Sequence, residues 1–243
     1  MDDRVRATKT FGFEPGRRLA SKYEVVSRLG TGWEGEVYHV TEITTGVERA
    51  AKFFFPQRNP RDKAIKFYAK KLDKLRKCPI VIQYHTQEWC RCRGEKIAFL
   101  VSEYVEGQLL SNFIKQHPGK RVHYFEAMHL LYSLVLGLEE IHQIGEYHGD
   151  LHAENIIVKR TGIHFDVKVV DMFQWGRCTP AHFLDDVCDA IRLFYNAIGG
   201  AKAYSHAPKE VKSVVCGLKR SLIRKKFKTA GDLRVFLETT SWD

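Results

Sequence analysis

Apolar and polar residues alternate in short runs over the first part of the chain, which is the pattern of half-buried β-strands. Such runs cover residues 23–26, 35–40 and 47–55, and turns rich in glycine or threonine separate them. Two further strands are predicted at residues 81–84 and 97–104. Between these groups, residues 62–77 repeat apolar side chains at helical spacing. The first part of the chain is therefore predicted to be a β-sheet with one helix.

The spacing of apolar residues changes after Gly107, where helical repeats dominate. A long, mostly buried helix is predicted from apolar residues three or four positions apart, namely Phe125, Met128, Leu131, Leu134, Val135, Leu138 and Ile141. Short strands are predicted at residues 156–158 and 167–170, and helices at 187–198, 209–218 and 230–237. This order predicts an α+β, two-lobed chain with a β-rich lobe at residues 21–105 and a mainly α-helical lobe at 106–243. Residues 1–20 are expected to form a basic N-terminal arm of uncertain order.

The composition is that of an ordinary globular protein, with 44% hydrophobic and 28% charged residues. No apolar run is long enough to span a bilayer, and residues 1–20 lack the apolar segment of a secretory signal. The six cysteines are scattered, which predicts reduced thiols and a cytoplasmic location. Cys90 and Cys92 have no second pair at zinc-binding spacing, so a strand with both thiols on one face is the favoured interpretation.

The formal net charge of +10 predicts attraction to anions. Phosphates, acidic proteins and nucleic acid all meet this condition, and the charge does not choose among them. Much of the charge lies in residues 58–77 and 219–228, where helical periodicity favours solvated helix faces as the simpler interpretation. An acidic partner is thus one expectation beside an ordinary solvated surface.

A glycine-rich segment and a lysine supply the first candidate chemistry. Gly30, Gly32, Gly35 and Val37 match a Gly-x-Gly-x-x-Gly-x-Val loop, in which missing side chains let backbone N–H groups approach phosphate oxygens. A dinucleotide-binding fold would place a helix directly after such a loop, whereas a strand follows here. Lys52 then lies in an apolar strand, where a cation is costly unless it meets an anion such as a nucleotide phosphate.

The most specific motif is His148-Gly-Asp150-Leu-His-Ala-Glu-Asn155, which lies between the long helix and a short strand. Asp150 can accept a proton from an attacking hydroxyl, and Asn155 can bind Mg²⁺ through its side-chain oxygen. Further on, Asp171 ends a strand with a carboxylate that also suits a hard cation. Each residue alone could serve an ordinary turn, but the ordered set indicates phosphoryl transfer.

These motifs together resemble the eukaryotic-like Ser/Thr protein kinase family from Tyr23 to Leu237. The resemblance implies the bilobal protein-kinase-like fold, ATP as phosphoryl donor, Mg²⁺ as cofactor and a protein substrate. It implies that Asp150 is the catalytic base, assisted by Lys52 and Asn155, and that Asn155 and Asp171 are the metal ligands. The nucleotide-binding residues that it implies are Gly30, Gly32, Gly35, Val37, Ala50, Lys52, Glu103, Val105 and Ile157.

Within that set, the backbone groups of Glu103 and Val105 are expected to meet the edge of adenine, and Ile157 to close its pocket. Asp186 matches the aspartate that supports the catalytic loop in this family. The segment near Arg224, with its following Thr-Ala and final helix, resembles the family's closing segment.

The chain also departs from the family pattern at several positions. The predicted helix at residues 62–77 offers Tyr68 or Ala69 where the family has the glutamate that pairs with Lys52. Gly149 replaces the arginine that would meet a phosphorylated loop, and residues 171–186 are too few for a full activation segment. His152 stands where Ser/Thr kinases usually have a lysine. This last feature makes the loop similar to that of small-molecule kinases such as aminoglycoside phosphotransferases.

Three functions are therefore expected in order of preference. The first is an ATP- and Mg²⁺-dependent Ser/Thr protein kinase. The second is a kinase of a small-molecule, lipid or other non-protein acceptor, which His152 and the short segment favour. The third is a nucleotide-binding pseudokinase that acts as an interaction module. The retention of Lys52, Asp150, Asn155 and Asp171 argues against that third function.

Overall fold

The computed structural model of the protein describes residues 8–173 and 176–241. The described chain forms two compact units, one from Met1–Lys77 and Ile82–Val105, the other from Cys78–Val81 and Glu106–Asp243. The first unit is rich in β-strands and the second in helices, so the α+β prediction is confirmed. The two units meet in sequence between Val105 and Glu106, and Cys78–Val81 belongs to the second unit.

A six-stranded antiparallel sheet forms the first unit, in the order β1-β2-β3-β4-β6-β5. Its strands are β1 (Arg18–Leu19), β2 (Tyr23–Thr31), β3 (Gly35–Glu42), β4 (Glu48–Phe54), β5 (Tyr84–Cys92) and β6 (Glu95–Glu103). The helix α1 (Lys63–Lys74) follows β4, with Ile65, Tyr68 and Leu72 on its buried face. Cys90 and Cys92 both lie on β5, and none of the six cysteines forms a disulfide in the described part of the chain.

The N-terminal segment is part of the core of the first unit. Phe11 and Phe13 are about as buried as Phe53 and Phe99 of the sheet. Both rings pack against the ring of Phe53, which stacks on that of Phe99. The backbone N–H of Phe11 donates to the buried carboxylate of Glu36, which fixes the segment on β3. From residue 8 onward the structure thus differs from the expected basic arm, because two aromatic side chains outweigh the charged residues beside them.

The second unit combines a small sheet with helices. The sheet has the order β7-β8-β9, from β7 (Gln108–Leu109), β8 (Ile156–Thr161) and β9 (His164–Val169). Its helices are α2 (Leu110–Gln116), α3 (Tyr124–Gln143), α4 (Pro180–Ala197), α5 (Gly200–Ser205), α6 (Lys209–Val215), α7 (Arg220–Lys226) and α8 (Ala230–Thr239). The largely buried α3 packs against both α4 and α8, so these three helices carry much of the core.

Several element boundaries differ from the predicted ones. The predicted strand at residues 81–84 is wrong, since Val81 makes only an isolated bridge to Val169 and Tyr84 opens β5 instead. The helix predicted at 187–198 begins earlier, at Pro180, because Thr179 and His182 cap its first turn and proline suits its first position. Within the described residues, no helix has both the length and the apolar character needed to cross a membrane.

Candidate active site

The glycine-rich loop is the turn between β2 and β3. The last pairs of this ladder are Gly30 with Val37 and Thr31 with Glu36, and the N–H of Gly32 donates to the carbonyl of Gly35 at 2.9 Å. A Cβ at Gly35 would lie 1.8 Å from the carbonyl oxygen of Phe53, whereas Gly30 and Gly32 have nothing within 4 Å. Gly35 is therefore required by the packing of the sheet. Gly30 and Gly32 leave an open backbone that a phosphate could approach.

The sheet brings three predicted nucleotide-binding residues to one face. Val37 and Lys52 are Cα partners of β3 and β4, and Ala50 lies two positions before Lys52 on the same face. All three side chains are partly exposed, whereas Ala51 and Phe53, which point to the opposite face, are fully buried in the core. This face of the first unit thus combines two small apolar groups with one cation.

Lys52 has an acidic partner that the sequence analysis did not find. Its Nζ lies 3.1 Å from Oε2 of Glu34, a residue of the glycine-rich loop. The hydroxyl of Tyr68 on α1 donates to the same oxygen at 2.8 Å, and the ammonium lies 4.2 Å from the centre of the Tyr68 ring. Tyr68 is one of the two residues that the sequence offers where the family has a helix glutamate, and its hydroxyl contacts the partner of Lys52. The sequence signal that could have pointed to Glu34 is the presence of an acidic residue inside the glycine-rich loop.

The end of β6 holds the predicted hinge residue Glu103. Its N–H donates to the carbonyl of Gln83, and its carboxylate accepts from the N–H of Gln83, both at 2.9 Å. The Ser102 hydroxyl lies 3.4 Å from the carbonyl oxygen of Glu103. In the described part of the chain, Val105 makes no backbone hydrogen bond. The backbone of Val105 is therefore a group that could meet a base, and the expected role of the Glu103 backbone stays a prediction.

The catalytic-loop candidates and the metal-ligand candidates lie together in the second unit. The side-chain amide of Asn155 donates to the carbonyl of Asp150 at 2.9 Å, while the N–H of Val170 donates to the carbonyl of Asn155 at 2.9 Å. His148 is fully buried; its Nε2 donates to the carbonyl of Val170. These bonds bring Asp150, Asn155 and the strand end that carries Asp171 onto one scaffold.

The second unit places the other predicted residues as follows. The Asp150 side chain is about half exposed, and one of its oxygens lies 3.5 Å from Nε2 of His152. Asp171 has a left-handed backbone with φ of 54°. Ile157 lies in β8, half-buried, between Leu109 of β7 and Lys168 of β9.

Asp186 supports the catalytic loop from inside the second unit. Its fully buried carboxylate accepts the N–H groups of His148 at 2.7 Å and Gly149 at 2.9 Å, and Nε2 of His142 at 3.0 Å. Burial alone would raise the pKa of Asp186. The hydrogen bond from His142, the proximity of His148 and the two backbone N–H groups outweigh burial, so the pKa lies below its usual value. The carboxylate therefore stays ionised and fixes the loop.

Gly149 explains one departure from the family pattern. Its φ is +81°, and a Cβ there would lie 2.9 Å from the Tyr147 ring and 3.0 Å from the carbonyl oxygen of Phe173. Any side chain at this position would be strained and crowded. The arginine of the family therefore cannot be restored without moving the loop. Beside Gly149 lies a cavity of about 320 Å³ lined also by Tyr147, His182, Asp185 and Asp189.

Comparisons with known proteins give matches to protein kinases. The protein kinase domain family matches residues 23–186. A Streptomyces coelicolor protein described as a probable serine/threonine-protein kinase is 30% identical over 161 residues, and PrkC of Bacillus subtilis is 26% identical over 159. These matches cover 65% and 64% of this chain. The kinase domain of Mycobacterium tuberculosis PknI, a crystal structure, is 18% identical with a TM-score of 0.62, covering 93% of this chain and 97% of that one.

The family match spans more than half of the chain, so the chain belongs to the protein kinase family. The structural likeness to PknI independently shows the fold. The matched part of the chain spans 23% of the length of the Streptomyces relative and of PrkC alike.

Two loop glycines give contrasting predictions. Gly35→Ala should lower the free energy of unfolding of the first unit by at least about 1–3 kcal/mol, because the methyl group collides with the backbone of β4. Gly32→Ala should leave stability within about 0.5 kcal/mol, because its Cβ enters open space. Urea unfolding of both variants checks this. Equal stability of the Gly35→Ala and parent proteins would contradict the packing role.

Asp186→Asn should lower the free energy of unfolding by about 3 kcal/mol, because a charged acceptor of buried hydrogen bonds is lost. A carboxylate with a depressed pKa stabilises the fold above its unfolded-state pKa, and this stabilisation disappears as pH falls through the folded-state pKa. The difference in the free energy of unfolding between the Asp186→Asn variant and the parent protein should therefore become smaller as the pH falls. Urea unfolding across a pH series measures it, with Asp166→Asn, an exposed residue of β9, as control. A difference that does not change with pH would contradict the role assigned to ionised Asp186.

Proposed function

We propose that this protein is an ATP- and Mg²⁺-dependent Ser/Thr protein kinase that transfers the γ-phosphate of ATP to a protein hydroxyl. The observation that carries the proposal is the hydrogen-bonded scaffold that joins Asp150, Asn155 and the strand end before Asp171. Asp186 holds the same loop in place. If this loop had only a structural role, the proposed base Asp150 and the proposed metal ligands Asn155 and Asp171 would not need to be held by one set of hydrogen bonds.

Within this proposal, Asp150 is the catalytic base. Its carboxylate is about half exposed, so an acceptor hydroxyl can reach it, and it takes the proton as the hydroxyl oxygen attacks the γ-phosphorus. The bond between that phosphorus and the bridging oxygen breaks, and ADP leaves. Lys52 neutralises the α- and β-phosphates. The geometry of Asp150 favours this role because its backbone carbonyl, bonded to Asn155, holds the loop still.

The proposed metal ligands have the donor chemistry that Mg²⁺ prefers. Asn155 uses its amide N–H toward Asp150, so its side-chain oxygen is the atom for a cation, and Asp171 adds a carboxylate. Mg²⁺ bound there would neutralise charge on the phosphate oxygens. These two residues fit the cofactor, and we assign them to hold it.

The remaining residues are proposed to bind ATP. Gly30 and Gly32 offer open backbone to the phosphates, and Gly35 keeps the loop packed on the sheet. Val37, Ala50 and Ile157 would contact adenine, with the backbone of Glu103 and Val105 at its polar edge. The partly exposed face of Val37 and Ala50 supports their part of this assignment.

A protein acceptor is favoured because relatives such as the Streptomyces coelicolor protein and PrkC are described as serine/threonine-protein kinases. A small-molecule acceptor remains the second candidate, favoured by His152, which lies 3.5 Å from the proposed base. We also propose an acidic protein partner for the basic surface of α1, where Lys63, Lys66, Lys70 and Lys74 are exposed. We further propose a cytoplasmic location, which the lack of disulfides among the described cysteines supports.

The deciding experiment is incubation with γ-labelled ATP and Mg²⁺ against casein, a basic protein and a set of metabolites. Label on a protein serine or threonine supports the proposal. Label only on a metabolite establishes the second candidate instead. ATP binding without transfer to any acceptor supports the pseudokinase alternative.

Asp171→Ala should abolish phosphoryl transfer and leave the affinity for adenosine nearly unchanged, because the carboxylate is needed only for metal and phosphates. Asp150→Asn should lower kcat by about 10²–10⁴-fold, since proton acceptance is lost. Asp166→Asn serves as the matched control and should retain parental turnover. Equal ATP turnover in the Asp171→Ala and parent proteins would refute the metal assignment.

A further inference from the structure

Lys52 lies in surroundings that require a counter-charge. Its side chain is 13% exposed, and its ammonium lies 4.2 Å from the ring centre of Tyr68 and 5.2 Å from that of Phe54. Aromatic faces attract a cation but do not fix its direction, because a ring presents a broad surface. A carboxylate, which has two acceptor oxygens, does fix the direction of the ammonium group. Glu34, from the loop before β3, provides such a carboxylate at 3.1 Å from the Lys52 ammonium.

The acidic residues of α1 and its first turn are engaged elsewhere. Asp62 accepts a hydrogen bond from Asn59 at 3.1 Å, and Asp73 pairs with Arg76 one turn further on. The buried face of α1 gives the site a neutral hydroxyl, that of Tyr68, which is 7% exposed. The helix therefore contributes to the environment of Lys52 without contributing a charge from Asp62 or Asp73.

Glu34 is held at both its backbone and its side chain. Its carbonyl accepts the N–H of Phe55 at 2.8 Å, which ties the loop to the end of β4. Its carboxylate accepts the Tyr68 hydroxyl through the same Oε2 that faces Lys52. Beside it, the guanidinium of Arg58 lies 3.7 Å from the ring centre of Trp33. The carboxylate is thus a fixed group and not a mobile side chain of a loop tip.

From this geometry we propose that Glu34 is the positioning residue for Lys52, taking over from the loop the task that the family assigns to a helix glutamate, with Tyr68 holding Glu34 in place. The inference rests on the proposed function, because it assigns Lys52 to the ATP phosphates. An ammonium can donate three hydrogen bonds, so it can hold a carboxylate and phosphate oxygens together. The loop that covers the phosphates and the cation that binds them then form one unit.

The test compares Glu34→Gln, Tyr68→Phe and the double variant. Glu34→Gln keeps the size of the side chain and should weaken ATP·Mg²⁺ binding and lower kcat, each by about tenfold, because a charge-assisted hydrogen bond is lost. Tyr68→Phe should weaken ATP·Mg²⁺ binding and lower kcat, each by about threefold. In the double variant the Tyr68 effect should vanish, because Tyr68 acts through Glu34.

Adenosine provides the readout that separates positioning from folding. All three variants should bind adenosine as the parent does and unfold within about 4 °C of it, because the phosphates alone sense Lys52. Glu88→Gln is the matched control: it removes the acid that pairs with Lys22 in the same unit and should leave ATP affinity unchanged.

Two outcomes would overturn the inference. Unchanged ATP·Mg²⁺ affinity in Glu34→Gln would show that Lys52 needs no such partner, and tighter binding would show that Glu34 competes with the phosphates for Lys52. Failure of the proposed function looks different. In that case the parent transfers no phosphate to any acceptor, yet the loss of ATP affinity in Glu34→Gln, measured by direct titration, still decides the role of Glu34.

Discussion

The buried carboxylate of Asp186 is the interaction on which the geometry of the catalytic loop depends. Three donors converge on it, two of them successive backbone N–H groups of the loop. A buried anion is tolerable only when its hydrogen bonds are satisfied, so the loop and the carboxylate require each other. Gly149, the second of these donors, has a φ of 81°, a conformation that glycine adopts without the strain of a side chain. Through His148 the same support reaches the strand end that carries Asp171.

The first unit also contains a buried carboxylate whose hydrogen bonds are satisfied. Glu36 is fully buried and accepts hydrogen bonds from Thr10, Tyr38 and the N–H of Phe11. Burial and this hydrogen bond to Glu36 raise the pKa of Tyr38 to about 12, so the phenol remains a donor. The anchored segment then covers the aromatic core around Phe53. In both units a buried acid connects distant parts of the chain, and the candidate site is built on that connection.

Much of the fold followed from sequence because its signals are local. The glycine-rich loop, the lysine strand and the long α3 all carry periodicity or turn chemistry within a few residues. The burial of Phe11 and Phe13 could not be predicted in this way, because it depends on Glu36 and Tyr38 far along the chain. β5 was indicated only at its end, by Cys90 and Cys92, because polar residues such as Gln87 and Glu88 hide the alternation that would mark the rest of this edge strand.

The site shows the same division. The sequence indicates Asp150, Asn155 and Asp171 as site residues because of their order and spacing along the chain. The roles assigned to them remain a prediction. The pairing of Glu34 with Lys52 does not follow from spacing, because the family pattern places the acidic partner of this lysine on a helix and here it lies in the glycine-rich loop. Spacing within one element reveals a motif, but a partner supplied by another element depends on how strands and helix pack.

The pairing of Lys52 with Glu34 has a consequence for how this sequence could diverge. Because this acid resides on the loop, the charge of α1 and the carboxylate that faces Lys52 belong to different elements. Lys63, Lys66, Lys70 and Lys74 are exposed, so substitutions along that row can change the charge of the helix surface while the pair keeps its two residues.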